Sequence, residues 1–398
     1  MRLLLFSTEF PPGPGGIGTH AYQLAHQLTR LGWQVLVLSP QDYASNEEIK
    51  AFNQAQPFGV ARLRHLPGAP FEAVYRLALL FIVVSREQPD VILASGERAA
   101  WLTALFTRYK SLPWSAMFHG VLHAKNWERS LTRWAFHHAD TVISVSEYSQ
   151  LRLRDLGIYS EKEVVIPNGA DDDTFHTLEE QEVRDFCSLL GISGSHILLT
   201  VGSVTERKGQ DVVIRALPHI LAEFPDTVYL IAGLPKRQEL LADLAESLGV
   251  SGHVHFLGRV DTPTLLKAYN ACDVFVMTSR HSQDGEFEGY GIAVLEAALC
   301  GKPAVVTKNS GLAEAVAEGQ TGLLVPEEDP QATARAILKL LHDRSLRSQL
   351  GRCARERALS EQTWSKRVVI YDRLLQQLVT DSENRNRLPN TTHQERTL

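Results

Sequence analysis

Short apolar runs rich in β-branched residues alternate with longer helical patterns along almost the whole chain, and the alternation occurs twice. In the first half the runs are Leu3–Phe6, Val35–Leu38, Val91–Ala94, Ser115–Phe118 and Val142–Val145. Helical stretches such as His20–Leu31, Glu72–Arg86 and Trp127–Ala139 lie between them. In the second half the runs are Ile197–Val201, Val228–Ala232, Val254–Leu257, Val274–Met277 and Ala304–Thr307, separated by patterns such as Gln238–Leu248, Pro263–Tyr269 and Gly291–Leu299. A strand that is apolar throughout must be buried on both faces, which calls for a parallel sheet covered by crossover helices. The two blocks therefore predict an α/β chain of two Rossmann-like, doubly wound parallel-sheet domains. Its 398 residues are long for one core and comfortable for two. The joint falls near Val165-Ile166-Pro167-Asn168-Gly169-Ala170-Asp171, where a strand gives way to Pro and Asn-Gly punctuation. This divides the chain into an N-terminal domain, 1–170, and a C-terminal domain, 171–362. A helix over 363–379 carries Trp364, Val368, Tyr371, Leu374 and Leu375 and is expected to pack back on the first domain. The polar tail, 380–398, is expected to be disordered.

The formal net charge of -6 lacks the basic footprint of a nucleic-acid binder. Acidic ligands must then be held by local groups. The cysteines, Cys187, Cys272, Cys300 and Cys353, form no C-x-x-C pair and read as reduced thiols. The apolar start at Met1–Phe6 is cut off by Glu9 and Pro11-Pro12, short of a signal peptide. The longest apolar stretch, Leu77–Val84, is too short for a bilayer. The expectation is a cytoplasmic protein, free to sit on the inner face of the plasma membrane. Two helical patterns carry bases among aromatics: Arg98, Trp101, Leu105, Phe106, Arg108, Tyr109 and Lys110, then Trp127, Arg129, Arg133, Trp134 and Phe136. They read either as core-facing stripes with a solvated side or as a face for anionic lipid.

Open parallel sheets bind ligands beyond the carboxyl ends of their strands, so the loops after strands are where chemistry is sought. After Leu3–Phe6, Gly13, Gly15 and Gly18 formally match G-x-G-x-x-G, with Asp42 about where a ribose-binding acid would sit. Several residues separate the strand from these glycines, and Pro14 removes an amide. A longer loop whose Gly15-Gly16 backbone closes over a ligand fits better than a dinucleotide fingerprint. Thr200–Asp211 also follows a strand and opens a helix, with Lys208 placed to set an ammonium on a diphosphate. In Glu288–Val306, glycines flank Tyr290 at a helix start, presenting amides and a positive dipole end to an anion. Glu288 lies just before that helix and Glu296 inside it, positioned to accept hydrogen bonds from different parts of one extended ligand.

The spacing Glu288-x7-Glu296 within EGYGIAVLEAALCGKPAVV resembles the signature of retaining glycosyltransferase family 4. The likeness runs over most of the chain, through STEFPPGPGGIGTH, FHG at 118–120, VIPNGAD, VGSVTERKGQD and FLGRV at 256–260. The loop SRHSQDGEFEGYG looks like those of mannosyltransferases of phosphatidylinositol mannoside synthesis and bacterial polysaccharide assembly. The resemblance implies a GT-B fold, two Rossmann-like domains facing an interdomain cleft. It implies hexosyl transfer from a nucleotide-diphosphate donor, a UDP- or GDP-sugar, to a hydroxyl of a glycan or lipid-linked acceptor. The nucleotide sugar is then a substrate; neither cofactor nor metal is expected.

By the same resemblance, Gly15 and Gly16 border the donor phosphates and the acceptor site, and His119 meets the transferred sugar. Lys208 holds the diphosphate. Glu288 contacts the donor sugar, and the backbone at Gly289, Tyr290, Gly291 and Ile292 holds sugar hydroxyls or phosphate. Glu296 takes the ribose diol, Arg259 and Val260 lie near the base, and Asn168 lines the interdomain edge. One departure stands out: the family commonly has Arg directly after the glycine of the first C-domain strand, where this chain has Ser203. Arg207, beside Lys208, is the candidate to compensate.

Other constellations fit less well. Asp171-Asp172-Asp173 contains a D-x-D, but in the linker, where a turn or cap role suits it. His119 and His123 are spaced i, i+4, and His137-His138 are adjacent, yet zinc needs a third ligand and Gly120 points to a loop. The alternatives carried forward are an NAD(P)-dependent oxidoreductase built on the glycine loop, a nucleotide-sugar epimerase, and a catalytically inactive nucleotide-sugar-binding partner.

Overall fold

The computed structural model describes residues 1–13, 15–40, 44–66, 68–120, 126–159, 162–282 and 285–387. Its strands are β1 (Arg2–Ser7), β2 (Gln34–Pro40), β3 (Gly59–Leu63), β4 (Val91–Ser95), β5 (Trp114–Phe118), β6 (Thr141–Ser144), β7 (Glu163–Val165), β8 (His196–Val201), β9 (Thr227–Ala232), β10 (Val254–Gly258), β11 (Val274–Met277), β12 (Ala304–Thr307) and β13 (Gly322–Val325). They form two sheets, ordered β3-β2-β1-β4-β5-β6-β7 and β10-β9-β8-β11-β12-β13. Among the described residues every strand pairing in them is parallel. The continuous apolar runs are the central strands: Leu3, Leu4, Leu5 and Phe6 are buried, as are Val274 through Met277. The strands not foreseen are β3 and β13, both short, at sheet edges and half-exposed in their middle positions.

Strand order reverses direction between β1 and β4 in the first sheet and between β8 and β11 in the second. These are the switch points at which open α/β sheets leave a crevice, because successive crossover helices diverge to opposite faces there. The loops after β1, β4, β8 and β11 therefore border the two crevices.

The chain crosses between domains twice at one place. Ala170 N–H donates to the Gln362 carbonyl (2.8 Å), and Trp364 N–H donates to the Ala170 carbonyl (3.0 Å). After this double crossing the helix Trp364–Arg387 runs back along the first domain. Its buried Trp364, Tyr371, Leu375 and Leu378 belong to a core shared with helix Gly16–Arg30 and with Met117 and Ile143. Trp33 Nε1 donates to Asp372 Oδ1 (2.8 Å), and Tyr371 Oη lies 3.1 Å from His20 Nε2. The tail expected to be disordered from 380 is helical as far as Arg387, with Arg385 paired to Asp140 at 2.9 Å. Leu378, 2% exposed, anchors the preceding turn and lets the polar turns propagate from it. Positions 388–398 lie outside the described residues.

The linker carboxylate Asp171 serves the turn, as expected of it. It accepts from Gln23 Nε2 (2.9 Å), Thr174 Oγ1 (2.6 Å) and Asp173 N–H (3.2 Å). Among the described residues no helix is long and apolar enough to cross a membrane.

Trp364 is 1% exposed at the point where both domains meet. Its replacement by Ala is expected to lower stability by about 3–5 kcal/mol, the cost of deleting a buried aromatic. Arg385→Ala, which breaks only a surface pair, should stay within about 1 kcal/mol. Urea unfolding of the two variants measures the contrast; equal losses would contradict the shared core.

Candidate functional site

Four loops converge between the sheets. After β1, Thr8 N–H donates to the Ser95 carbonyl (3.1 Å), tying the glycine loop to the end of β4. The loop ends at Gly15, whose carbonyl takes Thr19 N–H at 3.0 Å and opens helix Gly16–Arg30. That first turn has no side-chain cap and no acidic residue of its own, and the Glu9 carboxylate lies against Gly15 at its start. Gly18 packs on the backbone of Phe10 and not in the crevice, which accounts for the formal G-x-G-x-x-G match without a dinucleotide. Asp42 and His123 lie outside the described residues.

The second helix start faces it from the other domain. Gly291, at φ +85, caps helix Ile292–Leu299, again with no side-chain cap and no acidic residue in the first turn. The Tyr290 side chain is buried, leaving only its backbone to the cleft. At Gly289 the domains touch: a Cβ there would collide with the His119 carbonyl, and Ser149 Oγ donates to the Gly289 carbonyl at 3.3 Å. A side chain at 289 would force the domains apart, so glycine sets their approach.

His119 follows β5. Its Nε2 lies 2.8 Å from Ser95 Oγ, and its ring meets that of His20 edge-on at 5.0 Å between centroids. Burial pulls its pKa down to about 3. It is therefore a neutral imidazole, suited to hydrogen bonding with a sugar hydroxyl and not to carrying charge.

The charged centre lies after β8. Lys208 Nζ is 2.7 Å from Glu288 Oε2, and Arg207 Nη1 bonds the same oxygen. All three are partly buried, with side chains 12–24% exposed. Burial alone would raise the Glu288 carboxyl, but Lys208 and then Arg207 hold it down to about 2. Arg207 does turn inward, so the cleft has a guanidinium although Ser203 occupies the position where the family commonly has Arg. Ser203 closes the strand end through its carbonyl, which accepts Gln210 Nε2 at 3.2 Å.

Glu296 accepts from Tyr269 Oη at 2.6 Å. Burial pushes its pKa up to about 7, Tyr269 opposing and Asp171 adding. Two neighbouring carboxylates of the sequence signature thus differ: Glu288 is fixed as an anion, Glu296 titrates near neutrality. Arg259 reaches across the cleft, donating to the Pro12 carbonyl at 2.8 Å; its side chain clasps the glycine loop. Val260 beside it is half-buried. Asn168 is buried at the crossing, its Oδ1 without a partner among the described residues.

Two groups escaped the sequence. Ser95 sits 24 positions from His119 and only the β4–β5 pairing brings them together. Glu97, the first residue of helix Glu97–Thr107, is 6% exposed at the first switch point. A carboxylate right after the Gly that ends a central apolar run was its one sequence signal. No group of three or more His, Cys, Asp or Glu that could hold a metal ion occurs among the described residues.

Two helix starts without side-chain caps, an Arg207–Lys208–Glu288 cluster and the buried, neutral His119 thus line the space between two facing Rossmann-like sheets. Residues 14–174 match the family model described as Glycosyltransferase Family 4, and residues 189–357 match that described as Glycosyl transferases group 1. The chain belongs to glycosyltransferase family 4; it is a GT-B hexosyltransferase that takes its sugar from a nucleotide sugar. It is 29% identical over 376 residues to the GDP-mannose-dependent alpha-(1-6)-phosphatidylinositol monomannoside mannosyltransferase of Mycolicibacterium smegmatis, covering 92% of this chain and 96% of that one. It is 28% identical over 395 residues to the glycogen synthase of Mycobacterium tuberculosis, covering 92% of each. The crystal structure of Anabaena HepE in complex with UDP and glucose superposes with a TM-score of 0.82 at 21% identity, over 95% of this chain and 100% of that one.

The carboxyl of Glu296 gives a test of the site's electrostatics. Its folded pKa of about 7 lies above its ordinary 4.5, so the folded state holds the proton longer and wild-type stability falls as pH rises through that window. Glu296→Gln keeps the Tyr269 hydrogen bond and never charges. The unfolding midpoint of the variant should rise relative to wild type from pH 4.5 to pH 7, then level off. A difference independent of pH would refute the buried titration.

Proposed function

We propose that this chain transfers a hexose, with retention of configuration and without a metal ion, from a UDP- or GDP-sugar to a hydroxyl of a glycan or lipid-linked acceptor. The observation that carries the reading is the Lys208–Arg207–Glu288 cluster set between the two uncapped helix starts. The departing nucleotide diphosphate develops negative charge, and catalysis consists largely of stabilising it. Lys208 and Arg207 take the diphosphate, exchanging part of their contact with Glu288 for phosphate oxygens. Amides of Gly16 and of the Gly289–Ile292 turn add donors at both ends of the ligand.

Glu288, freed on one side, accepts from hydroxyls of the transferred hexose, and neutral His119 meets the same sugar from the first domain. Glu296 keeps Tyr269 on one oxygen and offers the other to the ribose diol. The base lies towards Arg259 and Val260. A retaining outcome follows if the acceptor hydroxyl attacks from the face the diphosphate leaves, with a phosphate oxygen taking its proton. Two cations beside the diphosphate fill the place a divalent ion takes in metal-dependent transferases, which supports metal independence.

The first domain also fits contact with an anionic membrane. Phe106, Trp134 and Phe136 of the basic aromatic helices are core-facing or packed against the core, and Trp101 Nε1 donates to Thr132 Oγ1 at 3.0 Å. Tyr109 and Trp127, 76% and 58% exposed, remain on the outside together with Phe71 and Val74. Peripheral docking there would place the protein at the inner face of the plasma membrane. Co-sedimentation with phosphatidylglycerol vesicles should weaken in Trp127→Ala and in a variant with Arg129 and Arg133 both changed to Glu. Unchanged sedimentation refutes the docking face.

The test of transfer is a donor screen by calorimetry with UDP-glucose, UDP-galactose, UDP-N-acetylglucosamine and GDP-mannose in the presence of EDTA. One donor should bind saturably, and its affinity should fall about tenfold or more in Lys208→Ala and in Glu296→Ala, as expected for loss of a charge-assisted hydrogen bond. Affinity should also rise with pH up to about 7, because Glu296 must shed its proton to accept the diol. Binding of NAD(H) instead would favour the oxidoreductase; binding without turnover would favour an inactive partner. The anomeric configuration of the product, read by proton NMR, checks retention.

A further inference from the structure

Strand periodicity sets Ser95 and His119 side by side. Side chains two apart along a strand share a face, so Ser95 continues the side of Leu93 and His119 the side of Met117. β4 and β5 pair with Ser95 opposite Met117. Leu93 and Met117 belong to the core shared with helices Gly16–Arg30 and Trp364–Arg387. At the carboxyl end of that face the core gives way to polar groups, and Ser95 Oγ lies 2.8 Å from His119 Nε2. His20, on helix Gly16–Arg30, backs the His119 ring edge-on at 5.0 Å between centroids. His20 is itself fully buried, with Tyr371 Oη 3.1 Å from its Nε2 and the Trp364 ring at 5.0 Å. The His119 imidazole is thus pinned at one nitrogen and backed by a second ring.

The Ser95 hydroxyl has one proton to place. Its side chain is buried, and His119 Nε2 is its only partner among the described residues. Ser7, opposite Ser95 in the β1–β4 register, gives its own proton to the Glu9 carbonyl at 2.7 Å. Burial keeps His119 neutral, so one ring nitrogen carries a proton and the other a lone pair. Two arrangements fit the distance. If Nε2 carried the proton and donated to Ser95 Oγ, the buried hydroxyl hydrogen would be left without an acceptor, which is unfavourable. If Ser95 donates to Nε2, its hydrogen is satisfied and the imidazole proton sits on Nδ1. His119 Nδ1 has no partner among the described residues, and it is not sealed from solvent as His20 Nδ1 is. An N–H there is open to a ligand.

We propose that Ser95 is a positioning residue for sugar transfer: its hydroxyl donates to His119 Nε2, fixes the Nδ1–H tautomer, and so makes His119 a hydrogen-bond donor to an oxygen of the hexose in the cleft. The proposal rests on the reading of the cleft as a glycosyl-transfer site and assigns the direction of one hydrogen bond in it. The opposite tautomer would present a lone pair and require a hydroxyl proton from the sugar. Ser95 touches no substrate and moves no proton.

The first test reads the tautomer without a ligand. Long-range proton–nitrogen NMR correlation on the full chain, labelled with nitrogen-15 at histidine, distinguishes the two ring nitrogens, and the His119 signals are identified by their loss in His119→Gln. Wild type at neutral pH should show protonated Nδ1. Ser95→Ala should shift His119 to protonated Nε2 or to a mixture of both forms. Ser95→Thr, which keeps the hydroxyl, should retain the wild-type pattern. Protonated Nε2 in wild type, or the wild-type pattern persisting in Ser95→Ala, overturns the proposal.

Calorimetry then connects the tautomer to the sugar. The four sugar nucleotides of the donor screen are compared with UDP and GDP on wild type and Ser95→Ala. The sugar nucleotide that binds should weaken about tenfold in Ser95→Ala, the scale of one hydrogen bond, while its parent nucleotide keeps its wild-type affinity. A sugar nucleotide held as tightly by the variant as by wild type overturns the proposal, and so does equal weakening of the parent nucleotide. Failure of every nucleotide to bind wild type would instead count against the donor reading, while the tautomer signals, recorded without ligand, still support or overturn the assignment to Ser95.

Discussion

The contact of Glu288 with Lys208 and Arg207 is the interaction on which the proposed donor site depends. With a net charge of -6 the protein offers no long-range attraction to a nucleotide diphosphate. Cations partly buried without a counter-charge would either lose protons or be drawn out into solvent. Glu288 keeps both in place in the absence of donor, 2.7 Å from Lys208, and is itself kept ionised by them. In the proposed reaction, binding a diphosphate would exchange one anionic partner for another and would not require two charges to be desolvated anew. The carboxylate so released would meet hydroxyl donors of the sugar attached to the diphosphate.

That arrangement needs the two sheets to meet at a fixed separation. Gly289 against the His119 carbonyl sets the approach at the cleft. The double crossing at Ala170 and Trp364 sets it at the rear, and helix Trp364–Arg387 lies along the first domain as a strut. Further contacts join the faces. Glu314 of the second domain accepts N–H donors from Glu147 and Tyr148 at the start of a first-domain helix (3.0 and 2.7 Å), and Arg259 clasps the glycine loop. The contacts that border the cleft thus engage the backbone on at least one side, Glu314 and Arg259 each gripping main-chain groups of the first domain.

How much of this was legible in the sequence follows from which interactions are local. Central strands are apolar on both faces and announce themselves; the edge strands β3 and β13 are short and half-exposed, and do not. Gly15, Gly291, Lys208 and the two signature carboxylates are set by spacing along the chain, and their neighbourhood of helix starts could be foreseen. The Glu288–Lys208 pair joins residues eighty apart, Tyr269 meets Glu296 across 27 positions, and Ser95 meets His119 across 24. No periodicity encodes such contacts, because they depend on strand order. The C-terminal turns were misjudged for the related reason that their order comes from Leu378 and from Arg385 reaching Asp140, not from their own composition.

The contrast among Glu97, Glu288 and Glu296 carries the reading of the site one step further. All three are enclosed by protein, and burial raises each; only Glu288 has cations close enough to reverse the sign. Glu296 has one hydroxyl donor and Glu97 its own backbone N–H, so both sit near neutrality. A fold selecting for stability alone would replace such acids by amides or apolar side chains. They lie on the two domains, Glu97 at the end of β4 and Glu296 inside helix Ile292–Leu299, with the fixed Glu288–Lys208–Arg207 cluster as the contrasting case.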